Sequence, residues 1–198
     1  MAEQTIVAIG REYGSAGHEI AERIAKDFAL KLYDRSILEE IASHMNTDAE
    51  AIEKYDEQPR NVILSRRVGH HTNSMEEILA EMQFEFIRKK AQKGESFVIV
   101  GRCAESVLKG TKGLITIFVS GNRESKIQRV MEKYHLGETE AIAKMLRHDK
   151  KRKQYHNLYS EGKWGDSRYY DMCINSSPLG VEGTLKILED YIRARMNQ

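Results

Sequence analysis

Uninterrupted apolar runs alternate along the chain with segments whose apolar positions recur at helical spacing. Thr5-Ile6-Val7-Ala8-Ile9 is short, β-branched and uncharged, the pattern of a strand buried on both faces of a parallel sheet, and Gly10 ends it. After Gly17, the residues Ile20, Ala21, Ile24, Ala25 and Phe28 fall on one helical face, so a helix begins close to His18. Lys31-Leu32-Tyr33-Asp34 predicts an edge or second strand, followed by a helix carrying Ile37, Leu38, Ile41, Ala42 and Met45 on one side. Thr47-Asp48-Ala49-Glu50 has the form of a capping box that opens a short helix through Ala51, Ile52 and Tyr55, which Gln58-Pro59-Arg60 interrupts. Ser74-Met75-Glu76-Glu77 is a second capping box. Met75, Ile78, Leu79, Met82, Phe86 and Ile87 then predict a long amphipathic helix that ends near Gly94 and turns this stripe to the core.

The second half repeats the alternation. Phe97-Val98-Ile99-Val100 is a strand that delivers Gly101-Arg102-Cys103 at its carboxyl end, where open α/β sheets bind ligands. Leu114 to Val119 is a third strand, followed by a helix on Ile127, Val130, Met131 and Tyr134 that Gly137 breaks. From Glu138 through Tyr155 the pattern starts amphipathic on Ala141, Ile142, Met145 and Leu146 and then becomes strongly basic. Met172-Cys173-Ile174 is a last short strand, and Val181, Leu185, Leu188 and Ile192 mark a closing helix. Strands alternating with helices predict an α/β fold with a mostly parallel sheet, and 198 residues suit one domain with a sizeable core.

Composition narrows the function. Lys+Arg 31 against Asp+Glu 30 leaves a net charge of +1, so no global field favours nucleic acid or a membrane surface, and anion recognition has to be local. Cys103 and Cys173 form neither a CxxC pair nor part of a zinc cluster, which fits a reduced, cytoplasmic setting. No apolar run approaches the roughly 20 residues of a membrane span, and the N-terminal pattern is not that of a signal peptide. Between Asn61 and Asn73 there is no clear period. Arg66-Arg67 and His70-His71 make that stretch locally basic, and adjacent histidines do not share a helix face, which favours a solvated loop over a metal pair.

Candidate chemistry begins at the first strand-to-helix turn. Gly14-Ser15-Ala16-Gly17 can aim the unpaired amides of a helix N-terminus at one point, which makes an anion site. Against G-x-x-x-x-G-K-[ST], Gly17 is kept, His18 and Glu19 stand where the lysine and hydroxyl belong, and Glu12 replaces the first glycine. From these residues alone, a phosphate loop and a closely packed βα turn are both open.

Four stretches decide further: IGREYGSAGHEIA, KLYDRSILEEIA, VIVGRCAE and RHDKKRKQYHNLYSEGKWGDSRYYDMCINSSPLGVEG. In this order, over nearly the whole chain, they resemble the cytidylate kinase-like family of P-loop proteins, relatives of the nucleoside monophosphate kinases. The resemblance implies a three-layer P-loop kinase fold with helices on both faces of the sheet. Its core comprises residues 1–34, 95–135 and 170–198, with a helical acceptor-binding insertion at about 35–94 and a basic lid at about 138–169. It also implies phosphoryl transfer from ATP, with Mg²⁺, to a nucleoside monophosphate such as CMP or dCMP, while the near-zero net charge argues against nucleic-acid or membrane partners.

On that basis Gly14, Ser15, Ala16 and Gly17, with the amides of His18 and Glu19, cradle the donor phosphates, and Arg11 supplies the missing cation unless it is a surface charge or a partner for Glu12. Histidine is not a fixed charge near neutral pH, so His18 does not simply replace a lysine. Glu19 is a candidate Mg²⁺ ligand at a helix N-terminus, while adding negative charge near the donor. Arg102 corresponds to an acceptor-phosphate arginine, a planar fork suited to bidentate binding. Cys103 follows it where the nucleoside monophosphate kinases have an acidic residue. Asp34 and Arg35 fall where the acceptor is met, although Asp34 serves equally as a helix cap. In the lid, Arg147, Lys151 and Arg152, with Lys150, are the candidates for charge on the transferring group, with Asp149 orienting them; the alternative is a solvated helix face.

A kinase acting on a different small-molecule acceptor is also open, and so are two other classes. One is a nucleotide-binding regulatory module with little turnover. The other is a nucleic-acid binder stacking bases on Tyr155, Tyr159, Trp164, Tyr169 and Tyr170, which the net charge disfavours.

Overall fold

A computed structural model describes residues 3–45, 48–58, 67–68, 71–72 and 74–197. Its elements in order are β1 (Ile6–Arg11), α1 (Gly17–Asp27), β2 (Lys31–Tyr33), α2 (Ile37–Met45), α3 (Ala49–Glu53), β3 (Arg67–Val68), β4 (His71–Thr72) and α4 (Met75–Gln92). There follow β5 (Phe97–Val100), α5 (Ala104–Val107), β6 (Leu114–Ser120), α6 (Arg123–Tyr134), α7 (Glu138–Tyr159), β7 (Met172–Asn175) and α8 (Gly180–Met196). Thr47, Pro59, Arg60, Arg66 and His70, which figure in the sequence reading, lie outside the described residues.

Five strands form one parallel sheet in the order β2-β5-β1-β6-β7, and β3 and β4 pair separately as a short antiparallel ladder. β1 sits at the centre and is buried throughout, as its apolar residues Ile6 to Ile9 require, and it ends in the buried Arg11. It runs beyond Gly10, because its ladder to β6 continues to the Arg11–Val119 pair.

Alternate residues feed two cores. Ile6 and Ala8, with Phe97 and Ile99, pack against α2 and α4, while Val7 and Ile9, with Val98 and Val100, meet α1 and α8. The result is a three-layer α/β fold with helices on both faces of the sheet. The chain leaves β1 toward β2 on one side and later leaves β5 toward β6 on the other, so the carboxyl ends of the adjacent strands β1 and β5 form the topological switch.

α7 is one helix of 22 residues that spans two environments. Its first half packs on α6 through Ala141 and Met145, and its second half buries Tyr155 with Ala80, Phe84 and Cys103. Among the described residues no helix is long and apolar enough to cross a membrane.

Candidate active site

The loop after β1 is built for a sharp turn. Gly14 (φ +81°) and Ala16 (φ +61°) adopt left-handed conformations, and α1 starts at Gly17 with first-turn amides that have no partner within the helix. A Cβ on Gly14 would stand 2.8 Å from the Lys126 carbonyl oxygen, so this position needs glycine for space as well as for φ.

Ser15 is fully buried and pins the loop. Its hydroxyl donates to the Glu12 carbonyl (2.9 Å), and its own carbonyl accepts from the Ser176 hydroxyl (2.7 Å). Arg129 Nη1 donates to the Gly14 carbonyl at 2.8 Å. Glu12, the residue in place of the first glycine, turns its carboxylate to α6, where Oε2 accepts from Lys126 Nζ (2.8 Å) and the Gly121 amide (3.1 Å).

α7 clasps the same loop. Asp149 accepts the Tyr13 amide at 2.7 Å, the His148 ring stacks on Tyr13 with centroids 4.3 Å apart, and the Arg152 guanidinium lies over the same ring. Burial, with Arg152 and Arg147 nearby, pushes the His148 imidazole down to about 4, so it packs as a neutral ring.

At the start of α1, His18 and Glu19 are exposed. His18 Nε2 lies 3.4 Å from Glu22 and 3.5 Å from Asp34. Asp34 accepts the Ser36 amide at 2.9 Å just ahead of α2, a local turn contact in keeping with its capping role. Burial works against its charge, but the Ser36 amide and the fields of His18 and Arg102 outweigh that and lower its pKa.

The densest charge lies at the switch of the sheet. Arg11, Arg102 and Arg152 converge on Glu57, at the end of the turn after α3. Arg11 grips both oxygens of Glu57 (3.1 and 3.3 Å), the Arg102 amide donates to Glu57 Oε1 (3.3 Å), and Arg152 Nε lies 4.0 Å from Oε2. Arg102 itself is one of the largest fully buried side chains; its Nη2 pairs with Asp56 Oδ2 at 2.7 Å and its Nη1 donates to the Val100 carbonyl at 3.1 Å. Gly101 (φ +78°) makes room, since a Cβ there would collide with Glu57 and Arg11.

Electrostatics follow the geometry. Glu57 is buried at a cost that Arg11, Arg102 and Arg152 more than offset, which holds its carboxyl well below the usual range. Burial raises the Asp56 carboxyl against the opposing pull of Arg102, and the adjacent Glu57 charge raises it further. Burial and the nearby Arg11 push Arg152 down to about 10. A small cavity of about 20 Å³ lies among these groups, with Arg11, Arg102, Cys103, Arg152, Tyr155 and His156 in its wall. Arg11 Nε, Arg102 Nε, Tyr155 Oη and His156 Nδ1 are buried there without a hydrogen-bond partner among the described residues. His156 Nε2 meets Glu105 at 2.7 Å, tying α7 to α5 beside the arginines.

Of the residues singled out from sequence, Arg11, Arg102 and Arg152 come together, and Gly14 to Glu19 form the loop and helix start. Arg11 is neither a surface charge nor a partner of Glu12, since Glu57 holds it. Arg35 is exposed and pairs with Glu53 at 2.7 Å, and its charge acts on Asp56. Arg147 and Lys150 are exposed and Lys151 half-buried, and none of the three forms an ion pair among the described residues. Sequence reasoning missed Asp56, Glu57, Lys126, Arg129 and the Glu105–His156 pair. Only Lys126 left a trace, as a lysine beside the apolar Ile127 on the buried face of α6.

Known proteins resemble this chain over most of its length. Residues 6–178 match the cytidylate kinase-like family. A cytidylate kinase of Methanocaldococcus jannaschii is 27% identical over 191 residues, which cover 94% of this chain and 97% of the relative. A crystal structure of an uncharacterized protein from Eubacterium ventriosum superposes with a TM-score of 0.77 at 38% identity, covering 96% of this chain and 99% of that one. The shikimate kinase of Bacteroides thetaiotaomicron shares the fold alone, with a TM-score of 0.57 at 11% identity over 96% of this chain and 98% of that one.

Proposed function

Because the chain belongs to the cytidylate kinase-like family, we propose that it transfers the terminal phosphoryl group of ATP to a nucleoside monophosphate, with CMP or dCMP the favoured acceptor. The observation that carries this reading is the convergence of three guanidiniums at the carboxyl ends of β1 and β5, beside a glycine turn that opens α1.

In this reading the amides of Gly14 to Glu19 hold the donor phosphates at the positive end of α1. Arg102 and Arg152 take the acceptor phosphate, fixed in place by Asp56 and by the packing of α7. Phosphoryl transfer calls for aligned reactants and spread positive charge more than for a covalent nucleophile, and buried arginines supply both. Arg147 and Lys151, one helical turn apart on α7, complete the charge on the transferring group as the segment 138–169 closes over bound nucleotide. The acceptor-binding region at 35–94 contributes Arg35 and Asp56, and Asp34 immediately precedes it.

In this reading Glu19, exposed in the first turn of α1, would hold Mg²⁺. A single carboxylate at this position suits an ion held mainly by phosphate and water. Mg²⁺ would there neutralise charge on the donor phosphates. Two free cysteines, one of them buried, fit a cytoplasmic setting.

The test is incubation with ATP–Mg²⁺ and CMP, dCMP, UMP, AMP or GMP, with products resolved by chromatography. We expect CDP or dCDP to form, and to be lost in Arg102→Lys and Arg152→Gln variants that remain folded. Bound ATP without transfer to any acceptor would reject this reading and select the nucleotide-binding module instead, which the replacement of the loop lysine by His18 favours.

A further inference from the structure

Glu57 is an anion seated in an anion site. Its backbone is left-handed (φ +47°), a conformation that is strained for a residue with a side chain, and it follows a short turn rather than a regular element. Its two carboxylate oxygens face Arg11 side by side, while one accepts the Arg102 amide and the other faces Arg152. These are the donors that two oxygens of a phosphate would use.

The adjacent Asp56 is different in kind. Its side chain is only 7% exposed, it pairs with Arg102 at 2.7 Å, and it accepts from Gln83 Nε2 at 2.8 Å, so it is anchored on two sides. Among the described residues, the polar contacts of the Glu57 carboxylate are with the Arg11 and Arg152 guanidiniums and the Arg102 amide. Three guanidiniums pair with two carboxylates here, with Glu105 and Asp149 nearby, so removal of Glu57 leaves an excess of positive charge suited to a phosphate monoester.

Resting on the acceptor-site reading above, we infer that Glu57 is an internal stand-in for the acceptor phosphate, which displaces it on binding. The site thereby carries its own competitor. A dianionic monoester, with twice the charge and a third oxygen, replaces the carboxylate, while singly charged ligands do not. The strained backbone of Glu57 lowers the cost of its release.

The experiment measures binding rather than turnover. Dissociation constants of inorganic phosphate, CMP and ATP are determined by calorimetry for the wild type, Glu57→Gln, Glu57→Asp and Arg152→Gln, each checked for a folded thermal transition. With the competing charge removed, Glu57→Gln should bind phosphate and CMP about tenfold more tightly or better, the equivalent of one charge-assisted hydrogen bond. Its ATP affinity should be unchanged, and Glu57→Asp, which keeps the charge, should stay near wild type. In the wild-type protein, amide exchange at residues 54–58 should speed up on adding CMP. Equal or weaker anion binding by Glu57→Gln, with CMP binding still lost in Arg152→Gln, would overturn the stand-in role and leave the acceptor site in place. Tightening in Glu57→Asp as large as in Glu57→Gln, or exchange unmoved by bound CMP, would overturn it as well. CMP binding that is indifferent to Arg152→Gln and to both Glu57 changes would overturn the acceptor-site reading along with it.

Discussion

The Arg102–Asp56 pair gives the sharpest prediction about how this site is held together. Arg102 is 1% and Asp56 7% exposed in their side chains, with 2.7 Å between Nη2 and Oδ2. Arg102→Met fills most of the volume but strands a buried carboxylate whose main opposing charge has gone. Breaking a buried pair from one side costs about 3–5 kcal/mol, whereas replacing both members by neutral groups of similar size is often nearly neutral. The single variant should therefore lose about 3–5 kcal/mol in urea denaturation at pH 7. Arg102→Met combined with Asp56→Asn, which retains a partner for Gln83, should recover about half of that loss or more. A pH series adds a sign. Burial already raises the Asp56 carboxyl, and without Arg102 it rises further. The folded single variant then binds a proton more readily than its unfolded chain, so it regains stability relative to wild type as the pH falls toward that raised value. A single-variant loss below about 1 kcal/mol, or a double variant at the sum of the two single losses, would refute the account of a buried, mutually dependent pair.

Other expectations follow from the same geometry. Gly14→Ala forces a left-handed alanine against the Lys126 carbonyl, a strain of about 1–2 kcal/mol before the clash, and should weaken ATP binding in calorimetry more than CMP binding; equal effects on both would argue against a donor role for the loop. Three arginines hold Glu57 below its ordinary value of 4.5, so the unfolded state takes up its proton first, and the stability from Glu57 is complete above that value and lost as pH falls below it. The gap in melting temperature between wild type and Glu57→Gln should accordingly narrow from pH 6 to pH 3, and a gap that widens would contradict the ion pairs seen here. Burial pushes the Cys103 thiol far up, while Cys173 is exposed, so a thiol reagent at pH 8 should label one cysteine in the native protein and two in urea; rapid labelling of Cys103 would show α7 opening away from it.

Sequence alone determined the strands of the main sheet and the long helices, because the signals that set them are local, whereas the two-residue strands β3 and β4 and the single turn of α5 left no such signal. The β-branched runs of β1, β5 and β6 had no other stable place than a doubly covered sheet, and the helical spacing of Ile20, Ile24, Leu185 and Leu188 chose the faces that cover it. The glycine turn at Gly14 and the arginine after β5 were legible for the same reason, since a strand end fixes where the next residues point.

What only the tertiary structure decided is which charges meet. Arg11, Asp56 and Glu57, Arg102 and Arg152 come from four separate stretches, and nothing local marks Glu57 as their common partner. In sequence Glu57 is one more carboxylate in a polar turn, and Glu12 and Lys126 are an unremarkable acid and base more than a hundred residues apart. An ion pair acts over a few ångströms in space and is blind to separation along the chain, so its partners are set by the order of strands and by where α7 crosses their ends. The same holds for Arg147 and Arg152: both belong to one basic run, yet the rotation of α7 buries one against Glu57 and leaves the other in solvent.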